Sequence, residues 1–217
     1  MSDTLRFGSL TARRIAESAR AHGTPQYLYD ESLLRARCRE IASMPNAFGL
    51  APRFAMKANS SKAILQLVAE EGFGIDASSL NEARRARAAG IACDRIMLTT
   101  QEVPLGGDRK DLEGMMRTGL CYNVCSPRQL SLVADFAASR KIPLSMRIHP
   151  GVGSGESSTR NTGDKYSCFG VHLSELDAAM RLAREKSILI DSVHVHIGSG
   201  GDPAKWKENA TRRLLSW

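Results

Sequence analysis

The sequence predicts an α/β fold built on a parallel sheet, and three observations carry that reading. Strand-like and helix-like segments alternate along the chain, six units in all, and repeated βα units imply parallel strands with helices outside them. No G-x-G-x-x-G follows the first of these strands, which removes the best support for a doubly wound dinucleotide fold. Lys57, Asp76, Arg147 and His196 each fall at or just beyond the C-terminal end of a strand, where a (β/α)8 barrel builds its site. The expectation is an α/β, TIM-type (β/α)8 barrel, incomplete, with about six of eight strands present. Residues 1–25 read as an N-terminal extension and 26–217 as the barrel.

The elements follow in order. Residues 31–44 are helical, and 53–57 form a short buried strand that ends in "FAMKAN". Ser60 or Ser61 then caps a helix whose apolar positions Ile64, Leu67 and Val68 share one face. "FGID" (73–76) is a strand, and "SLNE" (79–82) is a capping box that opens a helix closing at Gly90. "RIML" (95–98), "LCYNV" (120–124) and "LSMRI" (144–148) repeat the strand theme, with helices at 108–118 and 127–139. The second of these helices is entered through Ser126 as cap and Pro127 in the first turn. A loop rich in Gly, Ser and Thr covers 150–168, a helix follows, and "LIDSVHVHI" (189–197) holds the last strand. Asp202 and Pro203 open a final helix running to Trp217.

Composition narrows the function classes. A chain of 217 residues, 42% hydrophobic and 24% charged, can bury a core. No apolar stretch approaches the roughly 20 residues needed to span a bilayer, and the N-terminus lacks the order of a signal peptide. The expectation is a cytoplasmic protein with no membrane partner. Five cysteines at irregular spacing read as free thiols rather than a zinc set. The formal charge of +7 raises nucleic acid as a partner. The arginines lie in amphipathic stretches such as "NEARRARAAG", beside Glu and Ala, and aromatics do not interleave with them. A solvated helix face accounts for them, and no nucleic-acid partner is expected.

A strand that ends on Lys57 is unusual, because burying an amine is costly unless it is paired or neutralised. Taken alone, a lysine snorkelling to solvent explains it equally well. "GSGG" at 198–201 is, alone, a turn more often than a phosphate cradle.

Together, "FAMKAN", "GFGIDASSLNE", "MRIHPGV", "NTGDKYSCFGV" and "HVHIGSGG" change those readings. In this order they resemble the barrel domain of the pyridoxal-phosphate-dependent decarboxylases of the alanine-racemase fold. Within that family the ornithine, diaminopimelate and arginine decarboxylase group is similar, its diaminopimelate members most of all. The resemblance runs from about residue 24 to the final helix. It implies pyridoxal 5'-phosphate as cofactor, with Lys57 linked to the cofactor aldehyde through an amine that burial keeps neutral. It implies that His196 stacks on the cofactor ring and that Gly198, Ser199 and Gly200 lead a helix N-terminus toward the phosphate. His194, two residues earlier on the same side of the strand, reads as an ordinary core histidine. Asp76 is expected close to the lysine and cofactor. Glu82 has a sufficient role in the capping box and is the weaker cofactor-binding candidate. Arg147 is placed near the bound cofactor, with a structural ion pair as the alternative. Lys62, on a helix, and Lys165, in the loop, are not expected to carry the link.

The implied activity is decarboxylation of a small amino-acid substrate, meso-diaminopimelate to lysine first among the diamino acids. A racemase on the same barrel, or a non-catalytic cofactor-binding module, are the alternatives. Two residues depart from the family pattern: Cys168 stands where a lysine is usual before Phe-Gly, and His149 where asparagine is usual. The family's glutamate partner of the pyridine nitrogen and its C-terminal β-domain have no counterpart in these residues, so a fragment of a longer, homodimeric enzyme is expected. With an open barrel edge, the isolated chain is expected to self-associate.

Overall fold

The structure, a computed structural model, describes residues 6–154, 162–163, 167–200 and 202–209. Lys165, much of the 150–168 loop and the expected helix beyond residue 209 lie outside the described residues.

The N-terminal extension has structure of its own. Strands β1 (Arg6–Phe7) and β2 (Leu10–Thr11) pair antiparallel, and helix α1 (Ala12–His22) follows, with Thr11 as its cap. Asp30 ties this hairpin to helix α2 (Glu31–Ala42). Its carboxylate accepts from the Ser9 N–H and, as the α2 cap, from Ser32 Oγ at 2.6 Å and Leu33 N at 3.1 Å. These donors hold Asp30 well below the usual carboxylate range.

The sheet then builds in chain order: β3 (Arg53–Ala55), β4 (Gly74–Ala77), β5 (Ile96–Leu98), β6 (Cys121–Val124) and β7 (Leu144–His149), each parallel to the next. Helices α3 (Lys62–Glu70), α4 (Leu80–Ala88), α5 (Gly106–Arg117) and α6 (Pro127–Arg140) connect them, a 3-10 turn at Cys93–Arg95 preceding β5. Strand β7 is the branch point. It pairs parallel with β8 (Val171–His172) at Ile148 and His149, and with β9 (Ile190–His194) from Leu144 to Arg147. Helix α7 (Leu173–Glu185) joins these two, and α8 (Pro203–Asn209) follows β9.

Strand order that tracks chain order, with no reversal, is the winding of a barrel rather than of a doubly wound sheet. Among the described residues no pairing joins β3 to β8 or β9, so the barrel is not closed. The core lies between strands and helices, where Ile75, Leu98, Tyr122 and Leu144 meet Leu65, Ala83, Leu112 and Leu130. These strand residues alternate with the polar ones, so one side of the sheet is left for chemistry.

Three local expectations change. Strand β3 stops at Ala55, so Lys57 sits in the turn after it. Ser61 is in the cap position of α3 but makes no side-chain cap; the Asn59 carboxamide accepts the Ser61 N–H at 3.0 Å instead, while Ser60 Oγ accepts from Arg85. Strand β8, which falls between the expected loop at 150–168 and the helix after it, is made possible by Gly170. Its φ is +89°, and a Cβ there would stand 3.0 Å from the Arg147 carbonyl oxygen, so only glycine lets the strand approach β7.

Candidate active site at the sheet mouth

Side chains one residue apart from the core positions converge at the C-terminal end of the sheet. Asp76 lies on β4, Thr99 just past β5, Asn123 on β6, Ser145, Arg147 and His149 on β7, and His194 on β9. Lys57 follows β3, and His196 follows β9 by two residues.

Asp76 is partly buried and accepts from Thr99 Oγ1 at 2.8 Å. Burial pushes its carboxyl up from the ordinary aspartate value, while the Thr99 hydroxyl and then the charges of Lys57, Arg53 and Arg147 pull it back. Arg147 is 7% exposed and its guanidinium lies 4.9 Å from the centre of the Phe169 ring. No carboxylate among the described residues forms an ion pair with it, so the cation is left available to an anion. The structural ion pair is replaced by this aromatic face.

The two histidines next to it stay neutral. His194 is lowered to about 4, by burial first and then by the charges of Arg147 and His196. His196 is lowered by burial, Arg147 and Lys57. An imidazole held uncharged has the flat, polarisable face that stacking on a pyridine requires. His194 is less ordinary than a core histidine, because its buried Nδ1 has no hydrogen-bond partner among the described residues.

The backbone after β9 is clamped by the preceding loop. Ser154 donates its N–H to the Ile197 carbonyl at 2.9 Å and accepts the Asp202 N–H on Oγ at 2.8 Å. Thr162 Oγ1 donates to the His196 carbonyl at 3.3 Å. Gly163 packs so closely that a Cβ would fall 2.4 Å from the Val152 carbonyl oxygen. Gly198 and Gly200 have φ of +146° and +68°, a conformation open to glycine, and Ser199 between them is exposed.

One expected site residue differs from its reading, and one keeps the capping role that the sequence gives it. Lys57 is exposed rather than buried, because the turn carries it past the strand end into an open mouth. Glu82 is committed to the start of α4: its Oε2 accepts the Ser78 N–H at 2.6 Å while its own N–H donates to Ser79 Oγ at 3.2 Å. Thr99 and Asn123 are members of the cluster that sequence reasoning missed. A cavity of about 510 Å³ lies elsewhere, between β7, β9 and α7, lined by Met146, Met180, Ile190 and Val193 among others. Asp177, Arg184 and Asp191 also line it, and it holds none of the groups at the mouth.

The mouth fits pyridoxal phosphate on its donors alone: an exposed amine, a carboxyl, a guanidinium without a carboxylate partner, a neutral imidazole and a glycine-rich turn before a helix. It also carries buried polar atoms without partners among the described residues, His149 Nε2, Ser145 Oγ and Asn123 Oδ1.

Comparison with known proteins agrees. Residues 33–216 match the family described as pyridoxal-dependent decarboxylase, pyridoxal binding domain. The diaminopimelate decarboxylase of Streptomyces coelicolor is 34% identical over 198 residues, covering 90% of this chain and 43% of that protein. The diaminopimelate decarboxylase of Methanothermobacter thermautotrophicus is 36% identical over 190 residues, 85% of this chain and 42% of that protein. Among solved structures, diaminopimelate decarboxylase from Helicobacter pylori complexed with L-lysine superposes with a TM-score of 0.77 at 28% identity, covering 91% of this chain and 50% of that one. The chain thus spans about half the length of the relatives it matches. With the parallel, barrel-wound sheet and the convergence at its mouth, the match over most of its length means that this chain belongs to the pyridoxal-dependent decarboxylases, in their pyridoxal-binding domain.

Proposed function

We propose that this chain is the cofactor-binding part of a pyridoxal-phosphate-dependent carboxy-lyase acting on a diamino acid, with meso-diaminopimelate as substrate and lysine as product. The observation that carries the reading is the convergence of Lys57, Asp76, Arg147 and His196 at one end of a barrel-wound sheet. The names of its relatives supply the substrate.

When bound, pyridoxal phosphate supplies the electron sink for the carbon that loses carbon dioxide. Lys57, on a turn open to solvent, holds the cofactor covalently through its amine. His196, kept uncharged, offers its ring face, and the backbone N–H groups of Gly198, Ser199 and Gly200 receive part of the phosphate. Arg147 presents a cation that no carboxylate among the described residues pairs with in a salt bridge, Asp76 acting on it only through its charge. Asp76 stands close enough to Lys57 to feel its charge and is the carboxyl that can hold a proton beside the cofactor. Glu82, occupied at the head of α4, shapes the segment after Asp76 rather than touching the cofactor.

A non-catalytic cofactor-binding module is the second reading, favoured by the exposure of Lys57. A covalent site that water reaches freely cannot exclude side reactions.

We further assign a cytoplasmic setting and a homodimer in the full-length form, since β9 pairs with β7 alone among the described strands and its other edge can accept a partner. Membrane partnership is not part of this reading: no described helix is long and apolar enough to cross a membrane. Nucleic acid is not part of it either, because Arg35, Arg39 and Arg84 are engaged by Glu70, Glu71, Asp108 and Asp111.

The test mixes the purified chain with pyridoxal phosphate, reduces the covalent link with borohydride and maps the modified residue. Label at Lys57, lost in Lys57→Ala, is expected. Label at Lys62 or Lys165 with Lys57 untouched refutes the assignment. Release of carbon dioxide from meso-diaminopimelate then separates the lyase from the module.

A further inference from the structure

We propose that Thr99 and Asn123 are positioning residues that hold the Asp76 carboxylate in one orientation at the site. Thr99 Oγ1 lies 2.8 Å from Asp76 Oδ1, and Asn123 Nδ2 lies 3.2 Å from Thr99 Oγ1. A threonine hydroxyl has a single proton to give. A carboxylate oxygen can only accept, so that proton goes to Asp76, and Asn123 must then offer its N–H to Thr99. The chain of donors therefore runs one way, from β6 through the end of β5 to β4. Oδ1 is fixed as an acceptor, and Oδ2 is the oxygen left to face the mouth or to carry a proton.

The backbone under this chain is fixed as well. Thr99 donates its N–H to the Ala77 carbonyl at 2.8 Å, which extends the pairing of β4 with β5, and Asn123 stands in register with Ser145 of β7. Both side chains are buried, Thr99 at 9% and Asn123 at 0% exposure. Asn123 Oδ1 has no partner among the described residues in this buried setting. A polar group kept in the interior with one end unsatisfied lowers stability relative to an apolar residue of the same shape. Its use is orientation of the carboxylate, not packing.

The groups that face Asp76 come from three sides: Lys57 and Arg53 from β3 and its turn, Cys121 and Cys125 from β6, and Arg147 from β7. His194 and His196 stand beyond Arg147 and Lys57 and are uncharged near neutral pH. Among the described residues Thr99 is the only neutral side chain that hydrogen-bonds this carboxylate. Its removal therefore leaves every charge in place and takes away one donor, which raises the pH at which Asp76 titrates.

This inference rests on Asp76 being a carboxylate of the proposed site, and its test separates the two. The Asp76 carboxyl is followed by carbon-13 NMR against pH in the full chain, its signal assigned by its loss in Asp76→Asn. Thr99→Val is expected to raise the midpoint by about 1 pH unit, and Thr99→Ser to return it to within about 0.3 of the starting value. Asn123→Ala, which releases the Thr99 hydroxyl from its fixed rotamer, is expected to shift the midpoint the same way by less. Cofactor titration with borohydride trapping at Lys57 is run in parallel, and Thr99→Val is expected to need roughly tenfold more cofactor for half labelling. An unmoved midpoint in Thr99→Val or in Asn123→Ala overturns the inference; should Thr99→Val not fold, Asn123→Ala decides alone. If the parent chain is not trapped at Lys57, the site reading falls while the carboxyl titration still decides the role of Thr99.

Discussion

The two sides of the sheet are built differently. From β4 to β7 the core-facing strand residues are covered by helices, and Ile75, Leu98, Tyr122 and Leu144 all have 0% exposure. At β9 the same kind of residue faces outward: Leu189 is 62% exposed and Val193 54%. On the enclosed side Asp76 is held by hydrogen bonds that pass through three strands. On the open side Thr162 bonds the His196 carbonyl, and Ser154 bonds Ile197 and Asp202 on either flank of the glycine turn. The enclosed side can fix a carboxyl in one orientation, whereas the open side can yield as a phosphate arrives.

The largest expected effect comes from testing that contrast by truncation. Leu98→Ala should cost about 2–5 kcal/mol, because the cavity it leaves is walled by strands and helices that cannot collapse. Val193→Ala should cost under about 0.5 kcal/mol, since water already reaches that side chain. Urea unfolding of the two variants checks both values. Equal costs would mean that β9 is covered in solution, by another part of the protein or by a second copy.

Much of this division was legible in the sequence, for a physical reason. Runs such as "RIML" and "LSMRI" are apolar enough to be strands only if both faces are covered, and all six expected strands occur within one or two residues of their anticipated ends. Capping chemistry was legible too: Ser79, Ser126 and Asp202 each act where their types predict, with Ser79 Oγ, Ser126 Oγ and Asp202 Oδ1 accepting N–H groups of the first turn. What could not be read is whatever depends on register between strands. "YNV" looks like strand interior and Thr99 falls just past the expected strand at 95–98, and only the pairing of β5 with β6 brings Thr99 to Asn123 and so to Asp76. Strand β8 escaped because two residues have no period. The exposure of Lys57 escaped because "FAMK" does not say where the ladder stops, and here it stops two residues early.

The next effect sharpens the contrast through acid. His194 has its native value at about 4 against an ordinary 6.5, because burial and the Arg147 cation oppose its charge. On acidification the unfolded chain binds this proton first. The contribution is full above pH 6.5 and is lost as pH falls toward 4, on the order of 3 kcal/mol in all. Comparing urea midpoints at neutral pH and at pH near 5, the parent chain should lose more stability than His194→Gln. Parallel losses would mean that the imidazole is already hydrated and that the open side extends as far inward as β9 itself.

The smallest effect is a gain. Asp76 has its native value raised above the ordinary 3.8, chiefly by burial, with the Thr99 bond and the nearby cations only partly offsetting it. As pH rises, the unfolded chain releases this proton before the folded one does, so stability is lost between the ordinary value and the raised native one. Asp76 is therefore a net cost at neutral pH, in the opposite sense to His194, which costs only in acid. Asp76→Asn keeps the shape, and its Oδ1 can still accept the Thr99 hydroxyl. The variant should accordingly have a higher urea midpoint than the parent chain at pH 7, with the difference closing as pH falls below 3.8. It should also lose whatever cofactor chemistry the carboxyl serves, since a site residue held against its own solvation preference gives up stability for function. A variant less stable than the parent at neutral pH would mean that Lys57, Arg53 and Arg147 outweigh burial. In that case the enclosed side of the sheet would hold Asp76 as a structural ion partner rather than as a strained carboxyl facing the mouth.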